Sequence, residues 1–189
     1  MSPTTRITAG EWRGRVIDTP RTMSIRPTRS LVRETLFNIL GERVVGASVL
    51  DLYAGAGTVG FEALSRGAAS VAFVERNEAV LRFIAATAER LGATDRSRMV
   101  RAEVQAWLRR EGEVVETFGI AFVDAPYQDA DLDRSLALLG KHPPSLVVCE
   151  HHSKRHLPGR IGRLDRVREV RHGLTTLTFL QPSTDEFPT

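Results

Sequence analysis

Two short stretches carry the residue types that could do chemistry. Asp124-Ala125-Pro126-Tyr127 follows one apolar run, and Asp51-Leu52-Tyr53-Ala54-Gly55-Ala56-Gly57 follows another. An exocyclic amine on a purine or cytosine is a poor nucleophile, because its lone pair is delocalised into the ring. A site that methylates such an amine must orient that lone pair with two acceptors and hold the base against an aromatic face. Asp124 offers one acceptor, the Ala125 carbonyl a second, Tyr127 a stacking ring, and Pro126 stiffens the turn. Turns of the D-x-P type are also common at strand ends, so these four residues gain weight from their companion stretch.

In that companion, Gly55 and Gly57 allow the backbone to approach a ligand closely, with Tyr53 and Ala54 in the same small-residue turn. The spacing D-x-x-x-G-x-G departs from the dinucleotide fingerprint G-x-G-x-x-G. The carboxylate of Asp51 suits a ligand with an amino or cationic end, so S-adenosylmethionine fits better than a nicotinamide dinucleotide. Glu75 lies about 20 residues past the glycines, where an acid commonly accepts both ribose hydroxyls of an adenosine. Arg76 beside it joins the candidate cofactor set. Glu103, at a third strand end, could meet the adenine amino group.

These positions need an alternating frame to hold them. Strands are expected at 48–53, 70–75, 98–103, 118–123 and 145–150. Helices are expected at Thr58 to Arg66, Asn77 to Leu91 with an Asn77 cap and Gly92 past its end, Glu103 to Arg110, and Leu132 to Leu139. This order builds a mostly parallel sheet with helices on both faces, which binds ligands beyond the carboxyl ends of its strands. The run from Asp165 to Pro182, broken at His172-Gly173, reads as a closing antiparallel hairpin. Residues 6–20 read as a β-hairpin around Gly10 and Gly14, with Trp12 free either to pack or to stack on a base. A helix follows Pro27, with Val32, Leu36, Ile39 and Leu40 on one face. The expected division is a basic hairpin extension at 1–25, a catalytic domain at 26–182 and a tail at 183–189.

The chain has 189 residues, a net charge of +3 and one cysteine. Cys149 sits in an apolar run and is expected to be a buried thiol in a reducing cytoplasm. No apolar stretch approaches the length of a membrane span, so no membrane partner is expected. Charge is uneven: residues 1–33 carry seven Arg against two acids and residues 154–172 carry seven Lys or Arg against two acids, whereas residues 34–153 carry 12 basic and 17 acidic. Basic ends point to a polyanion partner, with Arg6, Arg13, Arg15, Arg26, Arg29 and Arg33 as candidate RNA contacts. His151, His152 and His156 lack a cysteine partner and sit among cations, so a polar surface is expected there, with no metal.

Taken together, RITAGEWRGR, RPTRSLVRETLFNIL, VLDLYAGAGTVGFEALSRGAASVAFVE and FVDAPY make the chain resemble the RsmD family of bacterial methyltransferases over nearly its whole length. The resemblance implies a Rossmann-like class I S-adenosylmethionine-dependent fold and methylation of a guanine N2 amine, of the guanine-966 type, in 16S ribosomal RNA. The implied substrate is that RNA or an assembling 30S subunit, and the expected enzyme is a cytoplasmic monomer. It also implies that Tyr53, Gly55, Gly57 and Glu75 hold the cofactor and that Glu103 and Val104 flank its adenine. Three departures from the family pattern stand out: Ala125 replaces the first of two prolines, Ser30-Leu31 replaces Asp-Arg, and Glu103 is a longer carboxylate than usual. Two alternatives stay open on the residues alone. One is an adenine-N6 or other amino-methyltransferase on DNA or RNA, and the other is an RNA-binding module without catalysis.

Overall fold

The computed structural model describes residues 4–18, 30–125 and 129–184. They form two compact units that divide between Val104 and Gln105.

The first unit opens with the short strands β1 (Thr4–Arg6) and β2 (Val16–Asp18), paired antiparallel with Thr5 opposite Ile17. Helix α1 (Ser30–Leu40) buries Val32, Leu36, Phe37 and Leu40 along one face. Next come β3 (Ser48–Leu52), α2 (Thr58–Ser65), β4 (Ser70–Glu75), α3 (Glu78–Leu91) and β5 (Ser97–Arg101). Strands β3, β4 and β5 pair in parallel with β4 in the middle. Near-continuous burial along β3 and β4 is what a parallel sheet covered on both faces requires. Local signals set α3: the Asn77 side chain accepts from the backbone N–H groups of Ala79 and Val80, and Gly92 ends the helix at φ 68°.

The second unit contains most of α4 (Val104–Arg110), then α5 (Gly112–Val115), β6 (Ile120–Val123), α6 (Asp129–Leu139) and β7 (Val147–His152). It closes with β8 (Arg160–Ile161), β9 (Leu164–His172) and β10 (Thr175–Pro182). Strands β6 and β7 are parallel, β10 runs antiparallel between β7 and β9, and β8 covers only the first two residues of β9. The closing hairpin is therefore as expected, while β8 and α5 were too short to leave a periodic signal. Cys149 is fully buried, and burial pushes its thiol up to about 12.

The N-terminal hairpin lies within the first compact unit. It is pinned to α2. The buried Glu62 carboxylate accepts from the Thr8 N–H at 2.9 Å, the Thr8 hydroxyl at 2.6 Å, the Ala9 N–H at 3.1 Å, Arg33 Nε at 3.1 Å and Arg66 Nε at 2.9 Å. Ser65 adds an acceptor for the Trp12 N–H and a donor to the Ala9 carbonyl. Trp12 is 2% exposed with the Arg96 guanidinium 5.2 Å above its ring, so it packs in the core and offers no face to a base. Gly10 is required at this seat: at φ +82°, a Cβ would lie 1.8 Å from the Ser65 carbonyl oxygen.

Candidate active site

In the first unit, the turn between β3 and α2 is built from left-handed residues. Tyr53 (φ 60°), Gly55 (φ 54°) and Gly57 (φ 72°) all lie at positive φ, and Tyr53 is the sole non-glycine to do so among the described residues. Such a conformation costs a residue with a Cβ about 1–3 kcal/mol, and strain of that size gathers at ligand sites. The Gly57 N–H closes the turn on the Ala54 carbonyl at 2.7 Å, and the Ala54 N–H reaches the Val74 carbonyl on β4 at 3.1 Å.

That anchoring brings Glu75 to the turn. One carboxylate oxygen of Glu75 accepts from the Gly55 N–H at 3.3 Å and the other from the Asn77 N–H at 2.9 Å. Each oxygen keeps a second lone pair, and the side chain is only half-buried. Two fixed acceptors beside a glycine turn suit the two hydroxyl donors of a ribose, so the residues present fit an adenosine-bearing ligand. The Ala102 N–H donates to the Glu75 backbone carbonyl at 3.2 Å, placing the Glu103–Val104 segment next to this strand end. Glu103 is exposed and Val104 buried, a polar and an apolar group suited to the edge and face of a purine. Arg76 points to solvent.

Asp51 has a partner within the protein at this turn. It is buried, and one oxygen accepts from the Gly60 N–H in the first turn of α2 at 3.0 Å. A carboxylate there satisfies an unpaired helix donor and opposes the positive end of the helix dipole. Asp51 thus anchors the helix behind the turn. Gly60 went unnoticed in the sequence, although a Cβ there would come within 2.3 Å of the Phe73 ring. Gly55, Gly57 and Gly60 complete a G-x-G-x-x-G run, which corrects the expectation that this stretch departs from that spacing; what sets it apart is the Asp51 carboxylate at the strand end, not a missing glycine.

In the second unit, Asp124 follows the fully buried strand β6, with a half-buried Ala125 next to it. Desolvation by the surrounding protein raises the Asp124 carboxyl to about 6. Water still reaches the side chain, which limits the size of that rise; its upward direction follows from the crowding. Pro126 and Tyr127 lie outside the described residues. Gln105 of α4 is buried and donates to the side chain of Asp131 at 3.3 Å, which fixes the helix that follows the D-A-P-Y stretch.

Among the candidate RNA contacts, Arg6, Arg13 and Arg15 are exposed on the hairpin, with Arg6 donating to the Gly14 carbonyl at 3.0 Å. Arg26 and Arg29 lie outside the described residues. Arg33 is a correction: it is 1% exposed, and its guanidinium is spent on Glu62, Thr5 and the Arg6 carbonyl. Its partner Glu62 is 29 residues away, so helix periodicity alone placed it at a surface. His151 is a second correction. It is buried, with Nε2 2.8 Å from the Thr178 hydroxyl, and burial lowers its pKa. No cluster of potential metal ligands exists among the described residues, and no described helix is long and apolar enough to cross a membrane.

Comparison with known proteins places this geometry. The family model described as "Conserved hypothetical protein 95" matches residues 5–181. The chain is 38% identical over 157 residues to the Ribosomal RNA small subunit methyltransferase D of Escherichia coli strain K12, covering 81% of this chain and 77% of that one. It is 31% identical to the protein of the same name from Haemophilus influenzae, over 77% of each chain. The solved structure of the Escherichia coli protein yhhF, described as a methyltransferase, superposes with a TM-score of 0.84 at 29% identity, covering 97% of this chain and all of that one. The Rossmann-like α/β fold of class I methyltransferases is thus shared with relatives along nearly the whole chain, which belongs to the RsmD family.

Proposed function

We propose that this protein transfers the methyl group of S-adenosylmethionine to the exocyclic N2 amine of a guanine in 16S ribosomal RNA, at a guanine-966-type site on a small-subunit particle, and works as a monomer. The observation that carries the reading is the Glu75 carboxylate held by the Gly55 and Asn77 amides, with acceptor capacity left on both oxygens. The names of the relatives with which it shares its family supply the RNA.

S-adenosylmethionine supplies an electrophilic methyl carbon on a sulfonium, whose sulfur leaves as a neutral thioether. The Tyr53 to Gly57 turn and Glu75 fix the adenosine, while Val104 and Glu103 border its base. Asp124 and the Ala125 carbonyl accept the two hydrogens of the target amine, which turns the nitrogen lone pair toward the methyl carbon. As the new N–C bond forms, the nitrogen becomes cationic, and the Asp124 carboxylate stabilises that charge and receives the proton. Tyr127 stacks on the guanine.

The test is to incubate the protein and labelled cofactor with 30S particles from a strain lacking the gene, then to identify the modified nucleoside by mass spectrometry. One N2-methylguanine per particle is expected. Label on an adenine N6, or cofactor binding without transfer, would overturn the reading. Glu75→Ala should weaken cofactor binding by about 1–3 kcal/mol in calorimetry. Asp124→Ala should leave cofactor binding intact and slow single-turnover methylation about 100-fold or more.

A further inference from the structure

We propose that the outer edge of the closing hairpin is a second RNA-backbone surface, in which Lys154, Arg168 and Arg171 neutralise phosphates; this rests on the ribosomal RNA reading above for the identity of the RNA. Of the seven Lys and Arg between residues 154 and 172, four already face carboxylates. Arg155 pairs with Asp133, Arg160 with Asp165 at 3.6 Å, Arg163 with Glu116 at 3.3 Å, and Arg166 with Glu169 at 3.2 Å. Lys154, Arg168 and Arg171 have no carboxylate partner among the described residues, so their charge is presented outward uncompensated.

The geometry makes these three a surface. Strand β8 pairs with Leu164 and Asp165, and the Arg166 N–H donates to the Gly159 carbonyl at 2.8 Å, so β9 from Val167 to His172 is the open edge, roughly 20 Å long at 3.3 Å per residue. Arg168 lies opposite Phe179 and Arg171 opposite Thr176, so the two project from opposite faces of the edge. The neighbouring strand β10 is buried from Thr176 to Leu180, which leaves β9 as the solvent-facing rim. The Ser153 N–H donates to the Leu174 carbonyl at 2.9 Å, which sets Lys154 beside the hairpin turn at the Arg171 end. Arg171 Nε donates to the Gly173 carbonyl at 3.1 Å, orienting its guanidinium along that turn. An added protein strand is disfavoured here, because arginines line the edge and a bulge at Phe179/Leu180 breaks its register. A phosphate backbone needs neither an apolar face nor a regular register, and guanidinium groups match its oxygens.

The experiment measures binding of the full-length protein and of a Lys154→Gln/Arg168→Gln/Arg171→Gln variant to naked 16S RNA and to 30S particles across a salt series, alongside methylation and cofactor affinity. The expected result is an RNA affinity lower by about 10- to 100-fold near 0.1 M salt and a log–log salt slope flatter by about 2 to 3, since each lost phosphate contact removes about 0.7–0.9. Cofactor affinity should be unchanged, which also reports an intact fold, and the Arg168→Lys/Arg171→Lys variant should keep most of the RNA affinity. An unchanged RNA affinity and slope in the triple variant would overturn the proposal and leave a basic rim that only blocks strand pairing. Loss of particle binding with naked RNA binding intact would also overturn it, in favour of a ribosomal protein. Wild-type protein that binds RNA through these residues yet methylates nothing would retain this surface and remove the enzymatic reading. Normal methylation with an indifferent triple variant would do the reverse.

Discussion

Glu62→Gln should be among the most damaging single-atom-class changes available in the first unit. Both carboxylate oxygens of Glu62 face donors alone: the Thr8 hydroxyl, the Ala9 N–H and Arg66 Nε on one side, the Thr8 N–H and Arg33 Nε on the other. Whichever way the amide turns, its NH2 group meets N–H or O–H groups. Arg33 and Glu62 are 1% and 0% exposed, so the change also strands a buried guanidinium. Breaking a buried pair by removing one partner costs about 3–5 kcal/mol. For a chain of this size that lowers Tm by about 6–20 °C. Removing both charges in Arg33→Met/Glu62→Met should cost less than the sum of Arg33→Met and Glu62→Met, because neither group is then left alone. The assay is urea unfolding followed by fluorescence of Trp12 in a Trp107→Phe background, which reports the docked hairpin. Burial pushes the Glu62 carboxyl up, but the Thr8 hydroxyl and amide, Arg66 and the charge of Arg33 outweigh it and hold the pKa below 4.5. Its stabilisation is therefore complete above pH 4.5 and is lost as pH falls through the lower folded value. A Glu62→Gln loss under about 1 kcal/mol, or additive single and double variants, would refute this account of how the hairpin is held.

Three further outcomes are expected. Gly10→Ala should displace the hairpin from α2, because its Cβ has no room beside the Ser65 carbonyl, and Trp12 emission should shift red in the folded protein. Methyl transfer should lose rate on the acidic side at a pH above the ordinary carboxylate range, since an Asp124 with a raised pKa takes up a proton there and can no longer act as acceptor; the Asp124→Asn variant should lack this acidic limb. Cys149, fully buried with its thiol raised to about 12, should resist a thiol reagent at pH 8 until denaturant is added, and rapid labelling of the native protein would contradict its burial in β7 opposite Thr178 of β10.

What could be read from the sequence was local. Asn77 and Gly92 bracket α3 because a cap and a left-handed stop each act within one turn of the chain. Gly55, Gly57 and Glu75 were legible because close backbone approach and a strand-end acid leave residue-type signatures at fixed spacing. The failures all involve partners distant in the chain. Arg33 reads as a solvent-facing residue until Glu62 is brought to it, and His151 reads as part of a basic loop until Thr178 pairs beside Cys149. Asp51 and Gly60 fall between these cases: both positions were visible, but their use of one another, carboxylate to amide across nine residues, depends on how α2 departs from β3. The hairpin's membership of the first unit was hidden for the same reason, since its anchors Glu62 and Ser65 lie more than 50 residues downstream.

That distance has a consequence for how the protein is made. Thr8, Ala9 and Trp12 have no seat until residues 62–66 have been translated, so the first strands emerge from the ribosome before they have anything to dock on. By the time Val104 has appeared, Glu62, Ser65 and Arg66 have all been made and can hold the hairpin, while residues from Gln105 onward are still being added. At about 5–20 residues per second, the 20 residues from Gln105 to Asp124 take roughly 1–4 s. For that interval the residues of the glycine turn and Glu75 have been made, and Asp124 has not.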